Sequence, residues 1–214
     1  PNPWHSLVIQ GCIEKGLDYK CSGPLYGHGQ ILAEGVADCI DSVAAVKKYV
    51  YDEKRFTIKE LSDAISANFE GYGEMLEFLR KSHLRFGNDI EYVDSIGKRI
   101  IDDYNTYLET KKTYRGGTYG GGCSPFTRAA GNGQGTGALP SGKMKGEALY
   151  ADSIGAVPGR DEKGPTALLK SCLSFDHTLP TSGFILNVKF DRKLFNTKKG
   201  MDGFKGLLKA YFEN

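Results

Sequence analysis

Between Tyr114 and Gly164 the chain carries half of its 28 glycines, and this stretch constrains the fold more than any other feature. Glycine surrenders more backbone freedom on folding than any other residue and offers no side chain to a core. Helical periodicity fades there as well, so residues 113–164 are predicted to be a long Gly-rich loop region. Loops of that length inside a compact protein are either functional or disordered. The aromatic and apolar residues scattered through this one argue against disorder.

The flanks read differently. Leu7, Val8, Cys12 and Ile13 before Gly16 suit a helix over 4–16 ended by glycine, and a Gly-, Pro- and Ser-rich loop follows through Gly29. Asp38 to Tyr51 is predicted as a buried helix with Ile40, Val43, Ala44, Val46 and Val50 inward. Thr57 and Glu60 have the spacing of a capping box, with Leu61, Ala64 and Ile65 on one face of the helix they open. Glu74 to Leu84 is predicted helical. Asn88, three residues before Glu91, reads as the N-cap of a further helix that carries Val93, Ile96, Ile100, Tyr104 and Tyr107. Beyond the glycines, Pro165 suits the first turn of a helix to Leu173. Ser182 to Phe190 reads as a strand, and Gly203 to Phe212 as an amphipathic helix. Helices followed by loops and a strand give an α/β or α+β class.

Bulk properties exclude several functions. The length, 214 residues, fits one domain, and 40% hydrophobic with 25% charged residues is ordinary for a globular chain. A net charge of +2 and paired rather than clustered lysines argue against nucleic-acid or membrane partners. No apolar run reaches the roughly 18 residues of a spanning helix. The start, Pro1-Asn2-Pro3-Trp4, has no signal-peptide pattern and reads as the interior of a longer chain. Five cysteines at long spacings, without a C-x-x-C pair, read as reduced thiols of a cytoplasmic protein.

Isolated motifs carry little chemistry. Gly137 to Lys143 formally fits G-x-x-x-x-G-K, but Met144 stands where a phosphate loop needs a hydroxyl, and no strand precedes it. Gly131 to Gly135 lacks dinucleotide spacing. His5, His28, His83 and His177 form no i, i+3 or i, i+4 pair, so no helical metal site is expected. His28 stands in a Gly-rich loop of the kind that lines sites, although a structural role is the plainer reading. Asp176-His177 reads as a local hydrogen bond. Cys12-Ile13-Glu14 resembles a radical C-x-E triplet, yet a helix would turn its two side chains apart.

Taken in order, however, several segments resemble one family. Ala37-Asp38-Cys39-Ile40-Asp41-Ser42 through Lys48 is similar to V-A-D-S-L-A-A-I-K-K. Phe86-Gly87-Asn88-Asp89 with Tyr92-Val93-Asp94 is similar to Y-G-N-D-x-x-Y-V-D. Gly142-Lys143 through Leu149 resembles P-D-G-R-K-A-G-E-P-L. Gly159-Arg160-Asp161 and Gly164 through Ser171 resemble G-R-D-x-x-G-P-T-A-V-L-K-S. These blocks, with Leu186-Asn187-Val188-Lys189-Phe190, resemble the C-terminal half of glycyl radical enzymes of the pyruvate formate-lyase superfamily, of the diol dehydratase and choline lyase kind.

The resemblance implies that residues 1–214 are a partial pyruvate formate-lyase-like domain, part of a ten-stranded α/β barrel with helices outside, from which the glycyl radical domain is absent. It implies a parent that cleaves C–O, C–N or C–C bonds of a small molecule. The radical cysteine and glycine would lie outside this segment, Cys12 matching a later helix. It further implies no directly bound cofactor, a glycyl radical installed by a radical S-adenosylmethionine activating enzyme as partner, and a homodimer. Phe126, Thr127, Ser182, Gly183 and Phe184 become candidates for the substrate cavity wall, with plain core packing as the alternative. Gly23-Pro24-Leu25-Tyr26-Gly27-His28 departs from the family's G-G-A-x-Y-N, and Pro125 to Ala130 departs from S-V-S/T-x-H, so the substrate stays open. A non-catalytic binding or structural protein with a partial barrel fold is the competing expectation.

Overall fold

The computed structural model describes residues 1–123, 128–150 and 153–213. Its centre is a parallel strand pair, β1 (His28–Ala33) and β2 (Thr118–Cys123), in register from His28 opposite Thr118 to Ala33 opposite Cys123. Parallel strands require a crossover, and here it is a run of helices. These are α3 (Val36–Ala45), continued by a π-helix (Val46–Asp52), then α4 (Ile58–Ser66), α5 (Gly73–Arg80) and α6 (Glu91–Glu109). Before β1 stand two short helices, α1 (Pro3–Val8) and α2 (Cys12–Lys15). After β2 come α7 (Ala129–Gly135), α8 (Pro165–Leu173), a 3-10 turn (Arg192–Asn196) and α9 (Lys198–Glu213).

β2 falls inside the expected Gly-rich loop, and β1 begins in the expected loop through Gly29 and runs on into residues for which no element was expected. β2 is Thr-Tyr-Gly-Gly-Gly-Cys, a poor strand by intrinsic preference. Close approach explains the glycines. A Cβ on Gly120 would lie 1.7 Å from the Thr181 hydroxyl, one on Gly121 2.3 Å from Asn105 Oδ1, and one on Gly122 2.7 Å from Ser182 Cβ. Tertiary crowding on both faces therefore selects glycine, and hydrogen bonding to β1 selects the extended backbone. The expected strand over 182–190 contracts to one bridge, Phe184 opposite Cys123. Among the described residues, Ser182 N–H donates to Gly121 O (3.1 Å), Cys123 N–H to Gly183 O (3.1 Å) and Ile185 N–H to Cys123 O (3.3 Å).

The helical layer keeps most of the expected faces. Ile40, Ala44, Leu61, Ala64 and Val93 are buried in one core with Phe86, Ile101, Ile154 and Phe175. Val43, expected inward, is 41% exposed. The helix predicted over 4–16 breaks at Gly11, whose φ of +99° and whose close approach to Leu25 N and Gly23 O admit only glycine. Asn88 does not cap α6; the N-cap is Ile90. Asn88 is instead buried, donating to the carbonyls of Arg85 (3.1 Å) and Arg160 (2.7 Å) and accepting from Lys163 N–H (3.0 Å).

Candidate functional site

The sheet has two unlike faces. Side chains alternate across a strand, and parallel partners in register share a face. Gly29, Tyr119, Gly121 and Cys123 turn toward α6, where Tyr104 and Asn105 press on Gly121. His28, Gln30, Gly120 and Gly122 turn the other way. There the His28 ring lies over the floor made by Gly120, and His28 Nε2 meets Thr181 Oγ1 at 3.0 Å. Both residues are exposed. This helix-free face is open, polar and floored by glycine, as suits close approach of a ligand to backbone.

Of the expected cavity-wall residues, Phe126 and Thr127 lie outside the described residues. Ser182 sits beside Gly122 on the helix-free face, and its N–H donates to Gly121 O (3.1 Å). Its hydroxyl is buried and has no hydrogen-bond partner among the described residues. Gly183, at φ +78°, turns the chain after Ser182. Phe184 points the opposite way, edge-on to Phe175 (6.1 Å) and His177 (5.2 Å) at the boundary of the helical core. The structure thus brings Ser182 together with His28 and Thr181 and separates Phe184 from them. Thr181 had no signal in the sequence, because its pairing with His28 spans 153 positions.

At the C-terminal ends of the strands, where open α/β sheets place ligands, Glu34 accepts from Arg128 (2.7 Å) and from the Asn132 side chain. Ser153 joins the same edge, donating to Cys123 O and accepting from Ile185 N–H (2.9 Å). Cys123 is fully buried there, and burial pushes its thiol up to about 12, which disfavours the thiolate. Burial also raises Cys172. The C-x-E triplet is structural: Cys12 is buried, while Glu14 reaches back to Gly11 N–H (3.0 Å). Gly137 to Lys143 closes a turn, Gly142 N–H to Leu139 O and Leu139 N–H to Lys143 O, both 2.9 Å. Among the described residues no group of three or more His, Cys, Asp or Glu is arranged to hold a metal ion, and no helix is long and apolar enough to cross a membrane.

The sequence blocks meet on the helical side, in one buried polar network. Asp41 of α3 accepts from Phe86 N–H (2.8 Å) and pairs with Arg85 (3.4 Å). Arg85 Nη2 donates to the carbonyls of Leu79 (2.6 Å) and Ser141 (2.9 Å). Asp38 accepts from Tyr150 N–H (3.0 Å). Ser171 of α8 donates to Asp94 of α6 and accepts from Asp89 N–H, both at 3.0 Å. Burial raises Asp41 to about 6 against the opposing pull of Arg85. These are bonds that lock loops to helices.

Fold and faces together define an α/β unit in which parallel strands carry helices on one side and an open, glycine-floored surface on the other. A family described as Pyruvate formate lyase-like matches residues 1–133, more than half the chain, and the chain belongs to it. A second family, Glycine radical, matches residues 150–214. Trans-4-hydroxy-L-proline dehydratase of Clostridioides difficile is 35% identical over 99% of this chain and 27% of its own. (2S)-3-sulfopropanediol dehydratase of Klebsiella oxytoca is 31% identical over 99% of this chain and 26% of its own. Among solved structures, the glycerol-bound B12-independent glycerol dehydratase of Clostridium butyricum superposes with a TM-score of 0.92 at 31% identity, over 100% of this chain and 27% of the other. The hydroxyproline dehydratase of C. difficile, with trans-4-hydroxy-L-proline bound, gives 0.90 at 35% identity, over 100% and 27%. The chain thus spans about a quarter of the length of these relatives.

Proposed function

We propose that the protein carrying this chain is a glycyl radical lyase that eliminates water or another small group from a small hydroxylated substrate. The observation that supports this best is the agreement of the whole chain, at a TM-score of 0.90 and 35% identity, with a hydroxyproline dehydratase solved with its substrate. Residues 1–214 would supply part of a ten-stranded barrel wall. The helix-free face of β1 and β2 would look into the lumen, and of the expected wall residues Ser182 and Gly183 would line it, joined by His28 and Thr181, while Phe184 turns to the helical core. The sequence contains no R-V-x-G-Y type loop. In this reading the radical-bearing loop and the radical cysteine both lie outside this segment.

In this reading a radical S-adenosylmethionine enzyme installs the glycyl radical, a cysteine thiyl removes a hydrogen atom from substrate, and the leaving group departs from the adjacent carbon. This chain contributes a rigid wall. The glycine floor lets substrate approach backbone, and the His28–Thr181 pair offers a hydroxyl and an imidazole to a substrate oxygen. Closure of the lumen strengthens such contacts by excluding water. The protein would work in the cytoplasm as a homodimer.

The test is an anaerobic assay of the intact, activated protein on trans-4-hydroxy-L-proline, glycerol and propane-1,2-diol, following the dehydrated product. Turnover of one of them, with His28→Ala lowering kcat/KM by about 10- to 100-fold, is the expected result. An activated protein inert toward every small hydroxylated substrate offered would contradict the reading.

A further inference from the structure

Away from the strand face, four cationic side chains, Arg80, Arg85, Lys143 and Arg160, converge on a cleft of about 400 Å³ bordered by α3, α5 and the 141–160 segment. Three carboxylates, Asp38, Asp41 and Glu147, share the lining, so the wall carries an excess of one positive charge when all are ionised. The pairing is uneven. Arg80 pairs with Glu147 at 2.5 Å and Arg85 with Asp41 at 3.4 Å. Lys143, only 7% exposed, donates to a single neutral group, Met144 O at 3.2 Å, although an ammonium has three donors. Arg160 Nη1 donates to the main-chain carbonyl of Arg80 at 2.8 Å. Neither has a carboxylate within ion-pair distance among the described residues. Arg85, 5% exposed, leaves Nε without a partner among the described residues.

The electrostatics agree with the geometry. Burial lowers Arg85, Asp41 opposes that, and the like charge of Arg160 lowers it further. Burial also raises Asp38 and Asp41, which eases their neutralisation, whereas Glu147, where bonds from Met144 N–H and Arg80 outweigh burial, is lowered and stays paired with Arg80. A buried, incompletely paired cation is costly, and a group with several acceptor oxygens is the ligand that satisfies a guanidinium and an ammonium together.

We propose that this cleft binds a tetrahedral oxyanion, either inorganic phosphate or the phosphate group of a small monoester, held by Lys143 and Arg160 with Arg85 behind them. Lys143 belongs to the formal G-x-x-x-x-G-K stretch, but it acts here through its side chain beside two arginines rather than through a loop of backbone amides. Because the cleft joins α3, α5 and the 141–160 segment, occupancy would tie that segment to the helical layer and stabilise the fold by mass action.

Calorimetric titration of the intact protein with sodium phosphate and with glycerol 3-phosphate, against sodium chloride at matched ionic strength, tests this. One saturable site is expected, weakened at least tenfold in Lys143→Met and in Arg160→Gln and unchanged in the exposed control Lys145→Gln. Hydrogen exchange should show protection of residues 139–150. Tighter binding of the monoester would assign the site to an organic phosphate, and equal affinity to inorganic phosphate; both support the proposal. Absence of saturable binding in the wild-type protein overturns it whatever the variants do. So does a response that chloride reproduces, or one that survives both substitutions. Lys143→Arg, which keeps the charge, should retain binding and guards against a folding defect.

Discussion

Asp41 shows how far a single side chain departs from its surface behaviour. It is 2% exposed, bonded to Phe86 N–H and Arg85, and raised by burial to about 6. Its folded value lies above its ordinary 3.8, so the folded state holds the proton more tightly. That contribution to stability is complete below the ordinary value and is lost as pH rises through about 6. The stability of wild type relative to Asp41→Asn should therefore fall between about pH 4 and pH 7 in denaturant titrations; a constant difference would contradict this. Gly120 makes the opposite kind of argument, from space. Gly120→Ala drives a methyl into Thr181 and His28, and a cost of about 1–3 kcal/mol is expected from overpacking, measured by urea unfolding. A neutral result would mean that the face yields more than its packing implies. Asn88 was legible as a residue with a job but not as which one. A cap and a buried three-bond clamp both call for a short amide, and only the fold brings Arg160 and Lys163 within reach of it.

At the scale of elements, what is local was readable. Thr57 and Glu60 satisfy each other's backbone donors as their spacing demands, Thr57 N–H to Glu60 Oε2 at 2.7 Å and Glu60 N–H to Thr57 Oγ1 at 3.1 Å. Thr57→Ala should cost about 0.5–2 kcal/mol by chemical denaturation, with the loss confined to α4 in hydrogen exchange. An unchanged stability would make the box ornamental. Pro165 opens α8 as read, because its missing N–H is no loss in a first turn. The strands were hidden for a physical reason. β1 begins His-Gly-Gln, β2 holds three consecutive glycines, and neither shows the alternation of a half-buried strand. Their extended form is imposed by pairing over about 90 residues and by contacts on both faces, which no local pattern encodes. The apparent strand at 182–190 failed for the complementary reason: composition favoured it, and β2 offered it only one bridge.

For the whole molecule, the order of the blocks told more than any one of them. Asp41, Asn88, Arg160 and Ser171 lie in three of the blocks, and with Arg85 and Ser141, each next to a block, they form buried polar contacts that join helices to loops. That network serves the fold independently of any substrate. It also explains why the family was legible while the cavity wall was only partly so. Ser182 reaches the open face, Phe184 turns to the core, and Thr181 was invisible without the fold. The central claim is radical chemistry in the intact protein, and electron paramagnetic resonance tests it most directly. The protein is incubated without oxygen, with a radical S-adenosylmethionine activating enzyme and S-adenosylmethionine. A carbon-centred radical whose hyperfine splitting collapses when the protein is made with deuterated glycine is the predicted result. No radical after incubation with an activating enzyme that proves competent on its own partner would contradict the account.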